Sequence, residues 1–104
     1  MNFNELAANL GLEEEEYREL IDLFISSSAE DLQKIADGLA AGEAEQIMRA
    51  AHTVKGASAN LGLVDVSAAA KVIEMRAMNH QLDGLVRALE TLQNQIKRIS
   101  GGVS

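Results

Sequence analysis

Ala51-His52-Thr53-Val54-Lys55-Gly56-Ala57-Ser58-Ala59-Asn60-Leu61-Gly62 reads as the last turns of an amphipathic helix. Followed backwards, the apolar and small residues Ala44, Ile47, Ala51, Val54, Ser58 and Leu61 recur at steps of three and four, which is the inward stripe of a helix from about Glu43 to Leu61. Asn60-Leu61-Gly62 is a stop signal, with Gly62 in the position of a left-handed C-cap residue. His52 follows Ala51 by one step, about 100° round the helix. It therefore belongs to the outward stripe Glu45, Arg49, His52, Gly56 and Ala59, which Lys55 borders. A glycine in a helix interior costs about 1 kcal/mol relative to alanine. Gly56 beside an ionisable ring therefore marks a surface that something approaches closely, and the next two turns on that side carry only Gly56 and Ala59.

Apolar spacing continues to read as helix on either side. Phe3 to Leu10 forms a short first segment that ends at Gly11. A long second helix starts in Glu13-Glu14-Glu15-Glu16, where acidic residues complement the positive end of the helix dipole. Its stripe is Tyr17, Leu20, Ile21, Phe24, Ser28, Leu32, Ile35 and Leu39, and Gly38 and Gly42 bracket its end. Beyond Gly62, Asp65 is placed to N-cap a helix from Val66 to about Met78 that points Val66, Ala69, Ala70, Ile73 and Ala77 inward. Asn79-His80-Gln81 makes a polar break before a fifth helix, Leu82 to Ile99, with the stripe Leu82, Leu85, Leu89, Leu92, Ile96 and Ile99. No period-two strand pattern occurs. The expectation is an all-α fold: an antiparallel up-down four-helix bundle over residues 12–99, capped by a short helix within 1–11 and followed by a frayed tail at 100–104.

A chain of 104 residues is one domain by length and can bury a single core without staples. It has no cysteine, hence no disulfide, thiol nucleophile or Cys-type zinc site, and no proline, as long helices require. Sixteen acidic residues against nine basic ones give a net charge of −7, which argues against nucleic acid and anionic membrane as partners. The three aromatics, Phe3, Tyr17 and Phe24, are too few for a base-stacking platform. No apolar run reaches the ~18 residues of a membrane span, and the N-terminus lacks the pattern of a signal peptide. A soluble cytoplasmic monomer is expected, because one bundle core absorbs the stripe of the last helix.

Other chemistry-bearing residues have plain readings. The four glutamates are a solvated helix start, and His80 is a surface loop residue. Met48, Met75 and Met78 sit at helical spacing, as core or rim packing does. The Ser26-Ser27-Ser28 run has no adjacent base or oxyanion motif. No HExxH-type spacing, Walker A loop, kinase signature or dinucleotide fingerprint is present, so neither a metal site nor ATP binding is expected.

His52-x-x-Lys55-Gly56 followed by Ser58-Ala59-Asn60-Leu61-Gly62 resembles the signature of histidine-containing phosphotransfer (HPt) domains. The resemblance spans most of the chain: acidic helix, motif helix, Gly-terminated turn, small-residue helix, leucine-rich last helix. It implies a four-helix bundle in which His52 accepts a phosphoryl group on Nε2 and exchanges it with the aspartate of a response-regulator receiver domain, or takes it from a histidine kinase. It implies that Lys55 stabilises phosphoryl charge, and that Glu74, 22 positions after the histidine, holds the ring by its other nitrogen. Glu74 follows the core position Ile73 by one step, as His52 follows Ala51, so two neighbouring helices would bring both to the rim of their shared groove. A carboxylate accepting from Nδ1–H leaves the Nε2 lone pair outward. Arg49, Gly56, Ala59 and Lys71 would form the docking face, Lys71 having also the plain reading of a solvated lysine, and Gly62 would end the motif helix. Mg²⁺ would come with the receiver, and the chain would bind no cofactor of its own. Two rival readings remain: a phosphorylatable domain of a larger sensor or chemotaxis-type kinase, and a receiver-binding module that accepts no phosphoryl group.

Overall fold

The computed structural model describes residues 2–100, and the expected tail at 101–104 lies outside them. Five helices follow one another: α1 (Phe3–Asn9), α2 (Glu14–Ala41), α3 (Ala44–Asn60), α4 (Val64–Met78) and α5 (Leu85–Ser100). No strand occurs among the described residues. Each helix packs on the next, α5 closes back onto α2, and α1 rests on α2. The 28 residues of α2 rise by about 42 Å at 1.5 Å each, and the molecule's longest dimension is 42 Å.

Local chemistry sets the helix ends. Asn2 accepts from the Glu5 N–H at 3.1 Å and caps α1. In the glutamate run, Glu16 reaches back to accept from the Glu13 N–H at 3.0 Å, one half of a capping box. Gly42 is left-handed (φ +71°), and the Glu43 N–H returns to the Gly38 carbonyl at 2.8 Å, closing α2 with a Schellman turn. α3 ends the same way: Gly62 has φ +75°, and the Leu63 N–H donates to the Ser58 carbonyl at 2.9 Å.

The core is built by Tyr17, Ile21, Phe24 and Ile35 of α2, Ile47, Ala51 and Val54 of α3, Val66, Ala70, Ile73 and Ala77 of α4, and Leu85, Leu89, Leu92, Ile96 and Ile99 of α5. Phe3 of α1 meets the Tyr17 ring edge-on at 5.5 Å. The buried Tyr17 hydroxyl donates to the Leu61 carbonyl, fastening the start of α2 to the end of the motif helix.

Five expectations are corrected. Leu20 is 40% exposed, because the α2 stripe is centred on Tyr17, Ile21, Phe24 and Ser28 and Leu20 falls on its flank. Gly38 lies inside α2 and is buried: a Cβ there would stand 2.7 Å from Ile47 Cγ1, so the glycine admits α3 rather than ending α2. Asp65 is not the N-cap of α4. The turn at Gly62 brings the chain straight into helix, the Leu63 carbonyl already accepts from Ser67 N–H at 3.0 Å, and Asp65 sits in the first turn at the positive end of the dipole. Leu82 precedes α5, because Gly84 (φ +80°) interrupts the helical path, although Leu82 still packs on the core. Ser100 belongs to α5 rather than to the tail.

Candidate functional site

The site is assembled from α3 and α4. Ala51 and Ile73 are fully buried, and one step beyond each of them His52 and Glu74 meet at the rim of the groove between the two helices. His52 Nδ1 stands 2.5 Å from Glu74 Oε2. The other carboxylate oxygen, Oε1, accepts from Lys55 Nζ at 2.6 Å. One carboxylate thus serves two donors from successive turns of α3. Its own side chain is 10% exposed, against 29% for Lys55 and 67% for His52.

An ionised carboxylate can only accept, so Nδ1 carries a proton, and in the neutral ring that leaves the lone pair on Nε2. In that tautomer Nε2 is the nitrogen of this largely exposed ring left to accept a new bond. The Lys55 ammonium holds the Glu74 carboxyl below its ordinary value of 4.5, with a smaller contribution from His52, against burial pushing it up. The backbone beneath Lys55 is tied as well: its carbonyl accepts from the Ser58 hydroxyl at 3.1 Å and from the Ser67 hydroxyl of α4 at 3.3 Å.

Gly56 is exposed, with no atom within 4 Å of where a Cβ would be, and Ala59 one turn on is also exposed. Arg49 pairs with Glu45 at 2.6 Å. Lys71 is exposed on α4 and, among the described residues, has no hydrogen-bond or ion-pair partner. His80 lies in the α4–α5 connection in a left-handed conformation (φ 56°). Among the described residues no group of three or more His, Asp or Glu side chains could hold a metal ion, and no helix is long and apolar enough to cross a membrane.

The sequence reading missed the Lys55–Glu74 pair and the Ser67 bond, both of which cross between helices. The Arg49–Glu45 pair was legible in its i, i+4 spacing.

The family model for the Hpt domain matches residues 19–102. The chain belongs to the Hpt domain family. This Hpt domain is also similar to a solved structure, histidine-containing phosphotransfer protein B (HptB) from Pseudomonas aeruginosa PAO1: 30% identity, a TM-score of 0.81, and coverage of 90% of this chain and 82% of that one. A comparison with curated protein sequences returns no match. The Hpt match begins inside α2, so α1 lies outside it and the site helices α3 and α4 lie within it.

Proposed function

We propose that this Hpt domain is a phosphocarrier of a two-component phosphorelay, with His52 as the residue that accepts the phosphoryl group. The observation that carries the reading is the His52–Glu74 contact: the ring is held by Nδ1 at 2.5 Å while its other side is open to solvent. In the proposed reaction the Nε2 lone pair attacks phosphorus of an aspartyl phosphate on a receiver domain. The N–P bond forms as the P–O bond to the carboxylate breaks, and the aspartate leaves with the electron pair. The Nδ1 proton stays between ring and Glu74, so the imidazolium produced is already paired. Lys55 keeps positive charge beside the acceptor and holds Glu74 ionised. The work is positioning and charge stabilisation, as in phosphoryl transfer generally. The reading makes the chain an intermediate rather than an enzyme, with receiver domains and a histidine kinase as partners and Mg²⁺ supplied by the receiver. It takes the chain as a cytoplasmic monomer that binds neither nucleic acid nor membrane. The up-down order of α2 to α5 is part of the same reading, supported by sequential packing and short connections.

The test is incubation with a receiver domain carrying ³²P on its aspartate. Wild-type protein is expected to acquire acid-labile, base-stable label, and His52→Gln none. Label retained in His52→Gln would refute the assignment.

Gly56, with Arg49, Ala59 and Lys71, forms the face that the receiver covers in this reading. Because the space above Gly56 is open, Gly56→Leu is expected to stabilise the fold by about 0.5–1 kcal/mol through helix propensity. The same side chain is expected to slow transfer from the receiver about tenfold or more, as one misplaced group at a reacting interface does. Thermal melting and transfer kinetics measure the two effects, and a stabilised variant with wild-type transfer would remove Gly56 from the docking face.

A further inference from the structure

Three cations stand at the three-residue spacing that puts a side chain on the same face as the reacting pair: Arg49 three residues before His52, Lys55 three residues after it, and Lys71 three residues before Glu74. Two are already committed. Arg49 is bound to Glu45 at 2.6 Å and Lys55 to Glu74 at 2.6 Å. Among the described residues Lys71 alone of the three has no carboxylate partner. In a chain with 16 acidic and only 9 basic residues, an unpaired cation beside the histidine is a notable placement.

Its position on α4 is fixed by its neighbours. Ser67 and Glu74 both bond to α3, Ser67 through the Lys55 carbonyl and Glu74 through His52 and Lys55. Lys71 lies between them, four residues after one and three before the other, so the Ser67–Lys71–Glu74 stripe faces α3. Residue 52 meets 74 and residue 55 meets 67, so numbers rise on α3 as they fall on α4, and Lys71 falls between the levels of His52 and Lys55. Unlike Lys55 it is exposed, as His52 is.

We infer that Lys71 is the cation that meets the phosphoryl group on His52 Nε2, while Lys55 stays on Glu74. The inference rests on the phosphocarrier reading above and deepens it. Moving Lys55 to the phosphoryl group would leave one oxygen of a carboxylate that is 10% exposed without its partner, whereas Lys71 has no bond to give up. The phosphoryl group carries two negative charges when fully ionised, and a mobile ammonium at the groove's edge can follow it through transfer. The other charged groups within a turn or two of His52 on α3 are held in the Glu45–Arg49 and Lys55–Glu74 pairs, each internally compensated.

The test uses the whole chain, phosphorylated on histidine with phosphoramidate and titrated by ³¹P NMR, for wild type, Lys71→Ala, Lys71→Arg and Lys55→Ala. A nearby cation favours the doubly charged phosphoryl form. Its removal at Lys71 is therefore expected to raise the midpoint of the ³¹P shift titration by about 0.5–1 unit, the size of one close charge interaction in water. Lys71→Arg restores the midpoint, and Lys55→Ala moves it less than Lys71→Ala does. An unchanged midpoint in Lys71→Ala, or a shift confined to Lys55→Ala, overturns the inference while leaving the carrier reading standing. If His52 yields no phosphohistidine signal at all, the carrier reading falls, and this inference with it.

Discussion

Glu74→Ala is expected to slow phosphoryl uptake by His52 about 100-fold, the upper range for losing a group that orients a reacting imidazole. The variant deprives two donors at once: Nδ1 loses the acceptor that fixes the tautomer, and Lys55 loses its counter-charge. With Lys55 29% and His52 67% exposed, water takes up part of the loss, so the stability cost is about 1–2 kcal/mol rather than that of a fully buried broken pair. Glu74→Gln separates the two roles. Its carbonyl can still accept from Nδ1–H, but its amide NH₂ cannot serve Lys55, so uptake should fall by less than in Glu74→Ala.

The same residue shapes the acid limb of stability. The folded-state pKa of Glu74 lies below its ordinary 4.5, so its contribution is fully present above that value and is lost as pH falls through the lowered folded value. The gap in unfolding free energy between wild type and Glu74→Gln should therefore be widest near neutrality and close in acid. Urea titrations at several pH values measure it, and a gap independent of pH would rule out the ionised pair as its source.

Gly38→Val is expected to cost about 3 kcal/mol, at the upper end of overpacking penalties. The corresponding fall in melting temperature is roughly 12 °C or more. A Cβ at Gly38 would lie 2.7 Å from Ile47 Cγ1 and 3.3 Å from the Glu43 carbonyl oxygen. Ile47 is fully buried and Glu43 is the N-cap residue of α3, so neither can yield without shifting the helix that carries His52. Gly38→Ala already meets the clash, and the ~1 kcal/mol of helix propensity it gains offsets only part. Gly38 and Gly56 thus predict opposite signs for the same kind of change, and calorimetry of the two variants distinguishes them. A Gly38→Val protein as stable as wild type would contradict the close packing of α2 on α3.

Much of this was legible in the residues. Steps of three and four placed all five helices, because burial on one face leaves that periodicity whatever the partner. Gly42 and Gly62 announced turns that need positive φ. What failed shares a cause. Gly38 and Gly42 look alike in a sequence, yet one is a cap and the other a point of close approach. Leu82 and Asp65 fit their helical patterns, but the tight turns at Gly84 and Gly62 moved the boundaries. For the site, spacing put His52 and Glu74 one step off their cores, while the family resemblance paired them. That Lys55 also binds Glu74 depends on the relative height of two helices, which periodicity on either one does not encode.

The carboxylate of Glu74 touches the ring at the nitrogen that takes no part in bond making. In the proposed chemistry that contact is the same before and after the phosphoryl group arrives, so the protein has little to rearrange in either direction. A carrier built this way imposes no direction of its own. On that proposal, which way the group flows is left to the relative stability of the acyl phosphates on either side, and the domain is a reversible junction rather than a valve.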